Sequence, residues 1–164
     1  MMITTILLLG TSSIIDDPAT IGQTCRVLEA AYTAAIESNV PAYPQTIAPA
    51  RRTVDLGTFH RDYRNQLPLD DGEFGDLVSR QRGFAVDGYR PLCVPTAAPI
   101  ARADAEGHAQ SISFTSPVFS SDGRIAVTEI SFRHVPSGFG YGMLCIARRT
   151  GQAWSARCLG SWIT

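Results

Sequence analysis

The last third of the chain alternates apolar and polar residues in four short runs, each bounded by turn-forming residues, and that rhythm leaves few folds open. Ser111 to Ser120 places Ile112, Phe114 and Val118 on one side. Ser121-Asp122-Gly123-Arg124 follows as a turn, because Asp-Gly readily takes the positive φ that a tight hairpin needs. Ile125 to Val135 is the second strand, Pro136 to Gly140 a longer turn, and Tyr141–Arg148 with Ala153–Ile163 the last hairpin. On that hairpin Trp154, Cys158 and Trp162 are expected on one face. The second strand breaks parity: Ile125 and Val127 point one way, Ile130 and Phe132 the other. A strand of period two does this only through a bulge or with both faces covered, so one or the other is expected near Thr128 and Glu129.

The final hairpin also speaks to the cysteines, Cys25, Cys93, Cys145 and Cys158. If Gly151-Gln152 is a two-residue type II′ loop, Thr150 faces Ala153, and counting back sets Cys145 opposite Cys158 at a non-hydrogen-bonded pair. Cys25–Cys93 follows by elimination and closes a long loop, worth about 4 kcal/mol in the chain-entropy model. A shift of register would undo the first pairing, and four reduced, buried thiols in a cytosolic protein are the alternative. No Cys-x-x-Cys pair and no nearby histidine cluster suggests a metal, and no cofactor is implied.

Ahead of the meander the period changes. Ile21, Cys25, Leu28, Tyr32 and Ala35 recur at helical spacing, with Asp17 as N-cap and Pro18 at the first helical position, which predicts a helix over Pro18–Ser38. Three prolines between Pro41 and Pro49 predict an extended connection, and Val54–Asn65 reads as either a short helix or an exposed strand. A second helix is expected over Asp71–Arg82, capped by Asp70 or Asp71, with Phe74, Leu77 and Val78 apolar and Gly83 ending it. Phe84 to His108 reads as loop with one short strand. Helices followed by consecutive strands define an α+β class: an N-terminal helix packed on a curved antiparallel β-sheet ending in a four-stranded meander.

At 164 residues the chain suits one domain, 14–164, behind a possible signal peptide at 1–13. That leader rests on Ile3 and Ile6 to Leu9 followed by the small Thr11, Ser12 and Ser13, although no basic residue precedes the apolar run. A first strand or helical turn of the domain is the other reading. The run is too short to span a membrane. Together with the cysteines it points to a periplasmic or secreted protein, a cytoplasmic one being the alternative. All 14 basic residues are Arg, the net charge is −1, and no basic stripe favours nucleic acid as a partner.

Ser116-Pro117-Val118-Phe119 ahead of Asp122-Gly123, then Ala126, a glycine-rich turn, Gly151 and Trp154, resembles a pattern in small exported bacterial proteins of unknown function. Gly138 and Gly140 stand where that pattern has a cysteine pair. The order of helix and sheet is similar to nuclear-transport-factor-2-like and cystatin-like folds. The resemblance implies a curved sheet, which in folds of the first type builds a cavity, and it assigns no functional residues.

Several groups have the chemistry for a site. His60 and Asp62 would share a face on a strand, as a base and its orienting carboxylate, but diverge on a helix. Asp70, Asp71, Glu73 and Asp76 form an acidic cluster best explained as helix capping. Phe139 and Tyr141 sit between glycines at Gly138-Phe139-Gly140-Tyr141-Gly142, where they would rim a pocket. Arg133 and His134 end the second strand and would line the sheet's concave face. The leading expectation is a non-catalytic exported module of the bacterial envelope that binds an unknown protein or small ligand. A small enzyme using His60 or His134 with a carboxylate is the second, and a cytosolic immunity-type protein the third.

Overall fold

The computed structural model describes residues 18–37, 43–58, 64–96 and 104–164. Within them lie the α-helices α1 (Pro18–Glu37) and α2 (Asp71–Phe84), a helical stretch at 56–58 and a 3-10 turn at Arg64–Gln66. Six strands accompany them: β1 (Gln45–Ile47), β2 (Ala109–Phe114), β3 (Val118–Phe119), β4 (Ile125–Val135), β5 (Gly140–Thr150) and β6 (Ala153–Ile163). They form one sheet in the order β1-β2-β4-β5-β6, with β3 also paired to β4. Every pairing is antiparallel except β1 with β2. The class is α+β, as the order of periodicities predicts.

The parity problem in β4 is solved by covering both faces. Ile125 to Ile130 are buried without interruption, and the β4–β5 register runs unbroken from Ile125–Arg148 to Arg133–Gly140. One face carries Ile130, Phe132, Ile112, Phe114 and Cys145 beneath Leu28, Ala31, Tyr32 and Ala35 of α1. The other carries Ile125, Val127, Leu144 and Ile146 beneath Phe74 and Leu77 of α2 and Leu56, Leu67 and Leu69 of the segment before it. We call these the α1 face and the α2 face.

The irregularity expected in β4 falls instead on its neighbour. Phe114 pairs with Ile130 and Val118 with Val127, so three residues (115–117) lie opposite two (128–129). Thr115 bridges the gap: its N–H donates to the Glu129 carbonyl (2.9 Å), and its hydroxyl accepts from the Glu129 N–H (2.8 Å). The slip turns Val118 to the α2 face while Ile112 and Phe114 stay on the α1 face, where a single uninterrupted strand would have kept all three together.

Both disulfides form as the hairpin register and elimination predict. Cys145 and Cys158 are direct partners with Cα atoms 4.0 Å apart, and Gly151 has φ +62° while among the described residues no non-glycine has positive φ. Cys25–Cys93 joins α1 to the loop after α2. A second tie lies one helical turn on, where the Glu29 carboxylate accepts from the Thr96 N–H (2.7 Å) and hydroxyl (2.6 Å). Among the described residues no helix is long and apolar enough to cross a membrane.

Helix α2 begins at Asp70 with a capping box: the Asp70 carboxylate accepts from Glu73 N–H, and the Glu73 carboxylate from Asp70 N–H. It runs one residue past Gly83, since the i→i−4 pattern tolerates glycine at modest cost. The same Glu73 carboxylate takes a two-pronged contact from Arg148 of β5 (2.7 and 2.6 Å), fastening the helix start to the sheet. That contact holds the Glu73 carboxyl below its ordinary range, so its stabilisation is present above that range and fades as pH falls through it. Glu73→Ala should cost about 1 kcal/mol at neutral pH through the lost cap, and urea melts should show the deficit shrinking toward pH 3.

Candidate functional site

A concavity of about 750 Å³ lies where the two helices approach the β3 end of the sheet. The first turns of α1 form one wall, the end of α2 another, and the loop after α2 the roof. Its lining is mainly apolar, with Ile21, Phe84, Tyr89, Leu92 and Phe119 prominent. The roof is held by Cys25–Cys93 and by the Glu29–Thr96 contacts, both from one face of α1. Leu92 nevertheless stays 79% exposed at the mouth. Ser116 closes the β3 side, its hydroxyl donating to the Phe84 carbonyl and accepting from Val86 N–H. Arg80 and Arg90 also line the cavity, and among the described residues no acidic side chain does. Arg80 donates through Nε to the Phe119 carbonyl (2.8 Å) and lies over the Phe84 ring. Burial pushes the Tyr89 phenol above its ordinary value.

A smaller groove of about 190 Å³, lined by arginine and serine side chains together with Ala48, Pro49 and Trp162, occupies the part of the α2 face that α2 leaves uncovered. Its floor is built by alternation: Ser111 and Ser113 of β2 and Ser131 and Arg133 of β4 share one parity. Glu129, of the same parity, lies beside this floor with 4% of its side chain exposed, ion-paired to Arg52 Nε at 3.1 Å. Trp162 donates its indole N–H to the same carboxyl oxygen at 3.0 Å. Burial raises the Glu129 pKa, opposed by Arg52, Trp162 and the Ser161 and Ser131 hydroxyls.

Trp162 reaches Glu129 because of a bulge. Met143 pairs with Gly160 and Gly142 with Trp162, so Ser161 is the extra residue and everything beyond it changes face. Trp154 and Cys158 therefore stay on the α1 face, whereas Trp162, expected beside them, lies on the α2 face. The indole rests on Gly142 and Gly140 of β5, and a methyl group at Gly142 would overlap its pyrrole ring. The glycine-rich stretch is thus a bare patch of strand that seats an indole.

Of the residues singled out in the sequence, His60 and Asp62 lie outside the described residues. Arg133 lines the groove and donates to the Gly138 carbonyl (3.1 Å). Tyr141 faces the α1 layer, stacked on Phe132 with ring centres 5.0 Å apart, and Phe139 is 52% exposed at the turn; neither lines the groove or the cavity. His134 bonds Ser137 through Nδ1 (2.6 Å) and packs on Tyr43 beside His108. Among the described residues a histidine–carboxylate pair forms between His108 and Asp104, at 3.3 Å on the surface. Asp104, Glu106 and His108 bring three possible ligand atoms within 4.8 Å. Asp104 is already engaged there as a turn former, accepting from the N–H groups of Glu106 and His108.

No protein-family model matches the chain, and no curated protein or solved structure is significantly similar to it.

Two outcomes follow from the groove. Gly142→Ala should displace Trp162 and cost about 1–3 kcal/mol by overpacking, seen as a red-shifted Trp162 emission in a Trp154→Phe background. Glu129 has a raised folded pKa, so its ionisation weakens the fold as pH climbs past the ordinary glutamate range. Glu129→Gln, which keeps an acceptor for the indole, should therefore gain stability relative to the native chain as pH rises from 4 to 8 in paired urea melts.

Proposed function

We propose that this protein is an exported, non-catalytic binding module of the bacterial envelope that holds a small amphiphile with an acidic head in the cavity between α1 and α2. The observation that carries the reading is the cavity's composition. About 750 Å³ of mainly apolar lining, with two arginines and no acidic side chain among the described residues, matches an apolar body ending in an anion. Its size falls within the roughly 300–1,000 Å³ of small-molecule sites.

Export is supported by the same architecture. A disulfide between α1 and the roof loop makes the cavity's shape depend on oxidised cysteines, which persist outside the reducing cytosol. The preference for binding over catalysis rests on the described residues, where no imidazole lines either concavity. A sheet that builds a cavity under a helix is also the use implied by the resemblance to nuclear-transport-factor-2-like folds.

The test takes the protein as secreted by its host, with its N-terminus and thiol state defined by intact mass before and after reduction. Anilinonaphthalene sulfonate, an apolar ring system with an anionic head, should bind one-to-one and be displaced by decanoate but not by decanol at equal concentration. Arg90→Glu should weaken decanoate about tenfold, near 1.4 kcal/mol, and Cys25→Ser with Cys93→Ser should weaken it as well. Equal displacement by decanol, or affinity indifferent to both variants, would remove the proposal.

A further inference from the structure

The groove over Glu129 is separate from that cavity in lining and in chemistry. Among the described residues its lining includes Arg51, Arg52 and Arg133 and no acidic side chain. These arginines come from two places, the segment after β1 and the end of β4, and line one groove with Ser111 and Ser113 of β2 and Ser131 of β4. Glu129 engages only Arg52, and only through Nε, so the terminal amino groups of Arg52 keep no protein acceptor among the described residues. Arg51 and Arg133 make no ion pair among those residues either. Thr164 stands at the rim and forms no ion pair with any of the three.

A strand end that merely faces solvent would carry serine and arginine in this alternation too. It would not bury a carboxyl to 4% side-chain exposure, fix one edge of a guanidinium on it, and wall the space with an indole seated on two glycines. Three planar forks with donors to spare, next to hydroxyls, form a receptor for oxygen anions. At about 190 Å³ the space lies below the range of drug-sized pockets, so the occupant is small. The geometry points to a second ligand site in which Arg51, Arg52 and Arg133, with the serines of β2 and β4, bind a small oxyanion of carboxylate or phosphate type. Glu129 acts there as a positioning residue that sets the Arg52 fork.

Isothermal titration of the intact protein with inorganic phosphate and with acetate, at constant ionic strength in chloride, tests the site. Trp162 fluorescence in the Trp154→Phe background gives a second readout, because that indole lines the groove. At least one of the two anions should bind saturably and shift Trp162 emission. Stronger binding of phosphate assigns phosphate monoesters as the ligand class, and stronger binding of acetate assigns carboxylates. Arg51→Ala with Arg133→Ala should weaken binding at least tenfold. Arg82→Ala, an exposed arginine of α2 outside the groove, should leave it unchanged. Glu129→Gln should retain binding but weaken it several-fold without altering the Arg82→Ala result. Absence of saturable binding by either anion, or a loss in Arg82→Ala equal to that in the double variant, would overturn the assignment. So would full affinity in the double variant.

Discussion

Strand β4 carries apolar side chains on both parities, Ile125 and Val127 on one and Ile130 and Phe132 on the other, so neither face of the sheet can meet water along it. Each face must be roofed by something apolar, and the two roofs are unlike. Helix α1, of 20 residues, lies across the face of Ile130 and Phe132 and buries Leu28, Ala31, Tyr32 and Ala35 there. Its hold extends to the sheet's edge, where the buried Tyr32 hydroxyl donates to Gln45 of β1. Helix α2, of 14 residues and weaker in propensity with three internal glycines, covers only the Ile125–Val127 end of the opposite face. What it leaves uncovered includes Ser131 and Arg133 of β4, with Ser111 and Ser113 of β2 beside them. The groove is thus a consequence of unequal cover on a strand that needs cover twice.

The disulfides act at different levels of this arrangement. Cys145–Cys158 closes a short loop inside a hairpin and sits beneath Ala31 of α1, so it fixes the β5–β6 register at the point where α1 bears on the sheet. The register then determines where the Ser161 bulge falls and which face receives Trp162. Cys25–Cys93 spans 68 residues and constrains the unfolded chain more, about 4 against about 3 kcal/mol in the chain-entropy model. It also holds a loop that has no regular structure of its own over the larger cavity. One crosslink sets the sheet, and the other sets the site beside it.

What was legible in the sequence was local. The spacing of Ile21 to Ala35 located α1, and the glycine at Gly151 fixed the partner of Cys145, because each depends on residues within one turn or one hairpin. Asp70 and Glu73 announced the start of α2 for the same reason. Trp162 was misplaced because a bulge has no signature in alternation; one added residue reverses the face of all that follows. A signal existed on the opposite strand: Gly140 and Gly142 share a parity, and two bare positions on one face of a strand make room for a large side chain. Alternation marks Glu129 only as the neighbour of an expected bulge or two-faced cover. Its flanks, Val127 and Ile130, should have marked it as a charge inside a buried strand. The larger cavity was not legible, because α1, α2 and the loop after α2 meet there only through tertiary contacts.

Glu129 is the clearest departure from what stability alone would select. Burying a carboxyl costs more than one ion pair in a partly wet setting returns, and the raised pKa is the sign of that imbalance. Arg52 is itself 48% exposed, so its attraction is screened, and an apolar residue at 129 would pack the strand without the penalty. Yet four separate features converge on this carboxyl: the Thr115 bridge to its backbone, the Ser161 bulge, the glycine pair, and the indole they seat. Each spends regularity of the sheet, and none shields Ile130 or Val127, which are already covered. Local structure that gives up stability in several places at once is characteristic of sites rather than cores. The uncovered end of the α2 face is where this chain has made that exchange.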